Sequence, residues 1–226
     1  MNQELSLTAN LLGDPGRAAI LLSLMDGLAL PAGELASIAN VAPQTASGHL
    51  ARLIDGGLLS VERQGRHRYY RLSSPEVADA IEALLVLTAR PKSRERTVTA
   101  GSLAHARTCY AHLAGWLGVQ IAKELEHRGL LRVSGAKLYT IGPSGGIWFQ
   151  SLGIDIPEGT RARDQFARRC LDWTERRHHL AGTLGCAMYK RLLELRWVVP
   201  IRGTRAIRVT LEGKSRLWEL LRIPIG

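Results

Sequence analysis

The second half of the chain holds cysteine and histidine residues whose spacing is typical of metal ligands. His105, Cys109 and His112 are separated by four and three residues, so on a helix they would lie within about 60° of one another on one face. Thiolate and imidazole groups bind soft or borderline divalent ions with directional geometry. A second group consists of Cys170, Asp172, Glu175, His178 and His179. The candidate ligands for a metal ion or a metalloid are His105, Cys109, His112 and Cys170.

Two other interpretations of these side chains stay open. Cysteine is among the most frequently buried residue types, and the matching positions of His112 and His179 in a repeat are also typical of a structural hydrogen bond. A thiol-dependent enzyme would use Cys109 or Cys170 as its nucleophile. The cysteines are widely spaced and odd in number, so we expect free thiols in a reducing compartment rather than a disulfide framework.

An internal repeat positions these groups. The segment HLAGWLG at 112–118 matches HLAGTLG at 179–185, an offset of 67 residues. Each copy, about 100–155 and about 161–226, is predicted to fold as helix, helix, hairpin and helix, an order similar to a winged helix. Two packed copies would form a pseudo-symmetric domain with a cleft for a ligand. Because all five tryptophans lie in this half, a small organic effector is an alternative to a metal.

Residues 31–72 have the pattern of a helix-turn-helix followed by a hairpin. The spacing of apolar residues predicts a helix over 32–39, a turn at 40–42 and a second helix over 43–55. Apolar residues share the inner face of the second helix: Ala46, Leu50, Leu53 and Ile54. Its outer face lacks bulky groups, which would hold the backbone away from DNA base edges in the major groove. The residues on that face and its flanks are Gln44, Thr45, Ser47, Gly48, His49 and Arg52.

The hairpin after this helix has a cationic tip. Strands are predicted at 58–61 and 69–72, with Tyr70 in the core. The tip contains Arg63, Arg66, His67 and Arg68. These side chains suit contacts to phosphates or to the minor groove, and an ordinary solvated hairpin is the alternative. Together, the second helix and the hairpin predict the DNA-binding surface of a winged helix-turn-helix.

Residues 8–90 resemble the ArsR-type winged-helix repressors. The similarity lies in PQTASGHL in the recognition helix, LIDGGLL at its end and RQGRHRYYRL in the wing. The resemblance implies a homodimer on double-stranded DNA, paired through the first helix and an apolar helix over 75–89. The family's metal sites do not carry over, because residues 34–38 contain no cysteine and residues 75–89 contain no histidine. Any sensing group is therefore expected in the C-terminal half.

Length, charge and hydropathy are compatible with a two-domain protein that binds nucleic acid. We predict a winged helix-turn-helix domain at 1–90 and a sensing or dimer-stabilising domain at 97–226, joined by a polar linker. The formal net charge of +10 suits a polyanionic partner. No apolar run reaches the roughly 20 residues of a membrane span. The N-terminus lacks a signal-peptide pattern, so we expect a cytoplasmic protein without membrane contact.

The predicted fold class is α+β, mainly α-helical with short β-hairpins. The predicted function is sequence-specific DNA binding by a homodimeric transcriptional repressor, which is released when an effector binds the C-terminal domain. An alternative is a chromosome-organising module without effector control, and a thiol-dependent enzyme is a third class. The glycine-rich residues 142–146 lack the Lys-Ser/Thr of a phosphate loop and are predicted to lead into a helix, so an enzyme is not the expected class.

Overall fold

The computed structural model describes residues 2–65, 67–88, 102–157 and 166–226. These residues belong to two compact units, Met1–Ile81 and Glu82–Gly226, and the division falls inside the helix Pro75–Thr88. The linker predicted between residues 90 and 97 lies outside the described residues. Among the described helices, none has the length and apolar character needed to cross a membrane.

The first unit has the element order of a winged helix-turn-helix, as the sequence predicts. Its elements are α1 (Asn2–Leu12), α2 (Pro15–Ser23), β1 (Leu30–Pro31), α3 (Ala32–Ile38), α4 (Pro43–Asp55), β2 (Leu59–Gln64), β3 (His67–Leu72) and the start of α5 (Pro75–Thr88). The strands form one antiparallel sheet in the order β1-β3-β2. The helices α3 and α4 are the helix-turn-helix, and the β2–β3 hairpin is the wing.

The inner face of α4 is buried, as its apolar spacing predicts. Ala46, Leu50 and Leu53 are nearly inaccessible to solvent, and Tyr70 of β3 is also in the core. These side chains pack α4 against α2, α3 and β2. Because this contact fixes the rotation of α4 about its own axis, the opposite face stays exposed.

Asp14 organises the junction between α1 and α2. Its Oδ1 accepts a hydrogen bond from the backbone N–H of Arg17 at 2.9 Å, which caps α2. The guanidinium of Arg17 is buried and donates to the carbonyl oxygens of Asn10 at 2.6 Å and Leu11 at 2.8 Å. These bonds satisfy carbonyls at the end of α1 and hold the two helices together.

The second unit contains two copies of one element order: hairpin, helix, hairpin and helix. The first copy is β4 (Arg107–Cys109), β5 (His112–Ala114), α6 (Gly115–His127), β6 (Leu131–Ser134), β7 (Leu138–Ile141) and α7 (Gly145–Ser151). The second copy is β8 (Arg168–Leu171), β9 (His178–Ala181), α8 (Gly182–Glu194), β10 (Val198–Pro200), β11 (Ile207–Val209) and α9 (Leu211–Leu221). The predicted α+β class is confirmed.

Each copy begins with a hairpin, so the helix predicted through His105, Cys109 and His112 is wrong. β4 and β5 are antiparallel and are joined by a two-residue turn. Tyr110 in this turn has a φ of 56°, in the left-handed region that favours glycine. A turn built from Tyr110 and Ala111 carries none of the residues that usually mark turns. The spacing of His105, Cys109 and His112 therefore predicted a helix where the chain forms the β4–β5 hairpin.

Backbone hydrogen bonds join strands of the two copies. The backbone N–H of Ile207 donates to the carbonyl of Ala106 at 2.8 Å, which joins the second hairpin of one copy to the first hairpin of the other. The equivalent bond runs from Tyr139 to Ala167 at 2.9 Å. The backbones of the copies are thus interlocked on both sides of a pseudo-twofold axis.

A shared apolar core lies between the copies. It includes Leu117, Phe149 and Trp197. A cavity between the described parts of the two copies has a volume of about 10 Å³, which is room for a single water molecule. It is lined by Leu113, Gly118, Ile121, Leu180, Gly185, Met188, Tyr189 and Leu192. This cavity is too small for an organic effector.

Gly118 and Gly185 occupy matching positions in α6 and α8 where the fold leaves no room for a side chain. A Cβ at Gly118 would lie 2.5 Å from the carbonyl oxygen of Leu113, and one at Gly185 would lie 2.5 Å from that of Leu180. We expect Gly118→Ala and Gly185→Ala each to lower the free energy of unfolding by about 1–3 kcal/mol, because overpacking outweighs the helix propensity of alanine. Urea unfolding followed by tryptophan fluorescence measures this unit alone, since all five tryptophans lie in it.

Gly146→Ala is the matched control within the same unit. A Cβ at Gly146 would meet no atom within 4 Å, so this substitution should be neutral or stabilise by up to about 1 kcal/mol. Equal unfolding midpoints for Gly118→Ala and Gly146→Ala would contradict the close packing of α6 in the structure.

Candidate functional site

One face of α4 is exposed along its length and carries small, polar and basic groups. Gln44, Thr45, Gly48 and Arg52 lie on this face, and a Cβ at Gly48 would meet no atom within 4 Å. Ser47 is also exposed, and its hydroxyl donates to the helix carbonyl four residues earlier at 2.9 Å. A face of this shape can approach base edges in a major groove without steric obstruction.

The wing brings cationic side chains together beyond this helix. Arg63 and Arg68 are direct register partners across the β2–β3 hairpin, and both are exposed, as is His67. Like charges directly opposite each other destabilise a hairpin in isolation. A polyanion bound at the tip would relieve this repulsion. Arg66, the remaining predicted contact, lies outside the described residues.

Positive charge in the first unit is concentrated near α4 and the wing. Residues 1–81 contain no lysine and six arginines, of which five lie between 52 and 71. The sixth, Arg17, is buried. The same residues include eight acidic side chains, so the unit as a whole is not basic. Attraction of this unit to DNA therefore depends on where its arginines lie, not on its net charge.

His49, a predicted DNA contact, lies at the edge of α4 and turns toward α2. Its Nε2 is 3.6 Å from Oδ1 of Asp14, and only 12% of the side chain is exposed. The hydrogen bond from the backbone of Arg17, together with the nearby charges of His49 and Arg17, lowers the pKa of Asp14. The carboxylate is thus an anionic neighbour for the imidazole. The more exposed residues at the start of the helix are Gln44 and Thr45.

Cys109, His112, Cys170 and His179 come together between the two copies of the second unit. Their ligand atoms all lie within 4.8 Å of one another, and all four residues are buried. The two Sγ atoms are 4.0 Å apart, and the two Nε2 atoms are 3.0 Å apart. Each copy supplies one cysteine and one histidine, which are register partners across its first hairpin. The duplication has built a buried group of two thiols and two imidazoles.

The other predicted ligand lies elsewhere. His105 stacks on Trp116 with ring centroids 5.3 Å apart and is not part of the group. His179, which is part of the group, belongs to the second set of residues in the sequence but is not among the four predicted ligands. The sequence pattern that indicates His179 as a ligand is the occurrence of Cys-x2-His in one copy and Cys-x8-His in the other. That pattern is visible only when each spacing is recognised as spanning a hairpin turn.

A buried carboxylate lies behind His179. Oδ2 of Asp172 is 3.5 Å from Nδ1 of His179, whose other ring nitrogen, Nε2, lies 3.0 Å from Nε2 of His112. The same oxygen accepts hydrogen bonds from the backbone N–H of Gly115 at 2.7 Å and from Arg107 at 2.9 Å. The hydroxyl of Thr174 donates to Oδ1 at 2.6 Å. Asp172 is therefore held in a fixed position by its partners.

Arg107 extends this network to Glu82 of α5. Nη2 of Arg107 lies 3.6 Å from Oε2 of Glu82, and Nη1 of Arg205 lies 3.6 Å from Oε1. Burial raises the pKa of Glu82 although both arginines oppose it. For Asp172, burial acts in the same direction, but the charges of Arg107 and His179 outweigh it and lower the pKa. Glu82 thus contacts residues from both copies of the repeat.

The two thiols differ in acidity. The hydrogen bond with Cys109 lowers the pKa of Cys170, and His112 and His179 act in the same direction. That bond and burial both raise the pKa of Cys109. Burial acts to lower the pKa of His179, but its contact with Cys170 outweighs this and raises it. The group offers sulfur and nitrogen ligands to a cation and presents little thiol surface to a substrate.

Residues 142–146 also fit the Gly-x-Ser-x-Gly spacing of serine hydrolases. The serine in a nucleophile elbow sits on a strained turn between strand and helix. Ser144 instead has φ −90° and ψ −8° and lies at the N-cap of α7, with its side chain exposed. The segment is an entry to a helix, as predicted.

Comparisons with known proteins cover part or all of the chain. The model of a protein family described as a helix-turn-helix domain matches residues 12–62. NolR from Sinorhizobium fredii is 27% identical over 38% of this chain and 85% of its own, with a TM-score of 0.36. The homodimeric winged helix-turn-helix domain of Mb0332 from Mycobacterium bovis, described as a possible ArsR-family transcriptional regulator, is 23% identical over 43% of this chain and 89% of its own, with a TM-score of 0.37.

One relative matches over its full length. The uncharacterized HTH-type transcriptional regulator YdfF of Bacillus subtilis is 46% identical over 227 residues, which cover 100% of both chains. This similarity includes the repeated half as well as the helix-turn-helix. The prediction of a DNA-binding transcriptional regulator is confirmed. The chain belongs to the family of HTH-type transcriptional regulators.

Proposed function

We propose that the chain is a homodimeric repressor of the cytoplasm that recognises a specific operator and is released when an effector acts on its C-terminal half. The observation that carries this proposal is the exposed face of α4 beside a cationic wing. Phosphate contacts alone position a protein on DNA, whereas side chains that reach base edges give sequence preference. The first unit offers surfaces suited to both.

The residues of these surfaces divide into two roles. Gln44 and Thr45 lie in the first turn of α4, the part of a recognition helix that reaches base edges. Glutamine is suited to paired hydrogen bonds with adenine. Arg52, Arg63 and Arg68 are placed to contact phosphates and supply much of the affinity.

Exposed leucines on α1 and α5 support the homodimer. Leu5 and Leu7 of α1 are 73% and 67% exposed, and Leu84 and Leu87 of α5 are 43% and 80% exposed. Apolar side chains at this exposure favour burial against another surface, here a second copy of the chain. Two copies would place their recognition helices about one turn of DNA apart, ~34 Å, so the operator should be an inverted repeat.

Effector control is supported by the ion pairs of Glu82. This residue lies on α5, the helix in which the division between the two units falls. Its partners, Arg107 and Arg205, come from the two copies of the repeat. A change in the packing of the copies would therefore alter the contacts of α5 directly.

Two substitutions on α4 test the division between base reading and phosphate contact. Gln44→Ala should relax preference at one or two base pairs, with a loss of about 1–3 kcal/mol of discrimination at each. Arg52→Ala should weaken binding to every duplex alike. It should also reduce the slope of log affinity against log salt concentration by about one unit. Selection of bound sequences from a random duplex pool, followed by equilibrium binding, measures both effects. Unchanged sequence preference in Gln44→Ala would contradict the role given to α4.

Two other functions make different predictions. A chromosome-organising module would bind DNA with a steep salt dependence but no preferred sequence. A thiol-dependent enzyme would need an accessible sulfur, whereas Cys109 and Cys170 are 0% and 7% exposed. The burial of both thiols favours the regulator.

A further inference from the structure

We propose that Cys109, His112, Cys170 and His179 bind one Zn²⁺ ion in a closed tetrahedral site that ties together the two copies of the second unit. The ion would be a resident part of the fold. The site is independent of operator recognition, and it would stand even if the chain bound DNA without sequence preference.

Two of the six distances between the four ligand atoms are close to those of a tetrahedral ion, and all six are below 4.8 Å. With Zn–S bonds of about 2.3 Å and Zn–N bonds of about 2.05 Å, two sulfurs lie about 3.8 Å apart and two nitrogens about 3.3 Å apart. The Sγ atoms of Cys109 and Cys170 are 4.0 Å apart, and the Nε2 atoms of His112 and His179 are 3.0 Å apart. Both distances are within a few tenths of an ångström of the tetrahedral values.

The donor set selects the class of metal. Two sulfurs and two imidazole nitrogens in a tetrahedron are typical of zinc, whereas magnesium and calcium require oxygen ligands. All four residues are buried, so the group has the closed form of structural zinc sites rather than the open position of catalytic ones. Binding would convert the thiols to thiolates and release their protons to solvent.

Asp172 provides the support that metal-binding histidines commonly have. A ligating histidine usually donates its second ring N–H to a carboxylate or carbonyl, which fixes the tautomer and the ring orientation. Nε2 of His179 faces the group, and Nδ1 lies 3.5 Å from Oδ2 of Asp172. Asp172 is itself held by Arg107 and Gly115. It is therefore a positioning residue for the site.

Packing and disulfide formation explain the arrangement of these four residues less completely than a zinc site does. A structural hydrogen bond between the two Nε2 atoms at 3.0 Å accounts for the two histidines, but it gives no role to the two thiols, which lie 4.0 Å apart in the same group. A disulfide would need the sulfurs about 2.05 Å apart and would involve only two of the four side chains. The same pairing of one cysteine and one histidine across the first hairpin of each copy indicates a function for the complete set.

Metal analysis of the full-length chain tests the site. Protein purified under reducing conditions should contain one zinc per chain. Replacement by Co²⁺ should give the visible absorption of a tetrahedral cobalt ion together with a thiolate-to-cobalt charge-transfer band. Cys170→Ser and His179→Ala should lose the bound zinc. Asp172→Asn should keep the tetrahedral spectrum while weakening zinc affinity about 10–100-fold.

Cys186→Ser and His105→Ala are matched controls, because they remove a thiol and an imidazole outside the group. Both should bind one zinc with the wild-type cobalt spectrum. Zinc retained in Cys170→Ser, or loss of the charge-transfer band in Cys186→Ser, would overturn the assignment. If Cys170→Ser does not fold, the wild-type chain decides: reduced protein that takes up neither zinc nor cobalt, or that holds a Cys109–Cys170 disulfide, would also overturn it.

Discussion

Arg107→Met should lower the free energy of unfolding of the second unit by about 3–5 kcal/mol, because removing one member of a buried ion pair leaves interior carboxylates with less compensating charge. The side chain of Arg107 is fully buried between Asp172, at 2.9 Å, and Glu82, at 3.6 Å. Methionine fills a similar volume without the charge. Two interior carboxylates would then lose their common cation.

Urea unfolding followed by tryptophan fluorescence measures this loss, since the tryptophans lie only in the second unit. Arg216→Ala is the matched control. Arg216 pairs with Glu219 at 3.0 Å, but both side chains are 53% exposed, so the expected loss is below about 1 kcal/mol. A loss in Arg107→Met no larger than that in Arg216→Ala would show that the buried network does not stabilise the unit.

The second large effect is expected in DNA binding. Replacing Arg63, Arg66 and Arg68 together by alanine should flatten the dependence of log affinity on log salt by about 2.7 units, since each phosphate contact contributes about 0.9. Arg63 and Arg68 are exposed register partners in the wing, and Arg66 is included on the basis of the sequence. Affinity should fall most at low salt and to the same degree for all duplexes.

Fluorescence anisotropy of a labelled duplex over a range of salt concentrations gives the slope. Arg71→Ala is the control on the same hairpin, because Arg71 already has an acidic neighbour, Glu62, at 4.0 Å. Its slope should stay close to that of the wild type. If the triple variant binds with wild-type affinity and slope, the hairpin is an ordinary solvated turn and not a wing.

The fold of the first unit can be predicted from the sequence because local residue patterns determine it. The spacing of Ala46, Leu50 and Leu53 sets the buried face of α4, and the burial of those residues agrees. The position of the wing follows from alternating residues on both sides of a glycine turn. The orientation of His49 does not follow in the same way, since it depends on Asp14, which is distant in sequence.

The second unit is harder to predict because its determinants are long-range. The repeat and its later hairpins are visible in the sequence, but the first hairpin of each copy is short and is completed by strands of the other copy. The turn at Tyr110 lacks a glycine or asparagine signal. The contact between Cys109 and Cys170 joins residues 61 positions apart, which no local periodicity encodes. The sequence feature that indicates the complete group is the presence of one cysteine and one histidine near the start of each copy.

Sequence-specific DNA binding by this chain is tested most directly by the ratio of its affinities for two duplexes. The full-length chain should be titrated at physiological salt with a duplex enriched by selection and with a scrambled duplex of the same length. We expect the selected duplex to bind at least about 10³-fold more tightly, with one pair of chains on each inverted repeat. Equal affinity for the two duplexes, with a steep salt dependence for both, would contradict the claim and identify a DNA-binding module without an operator.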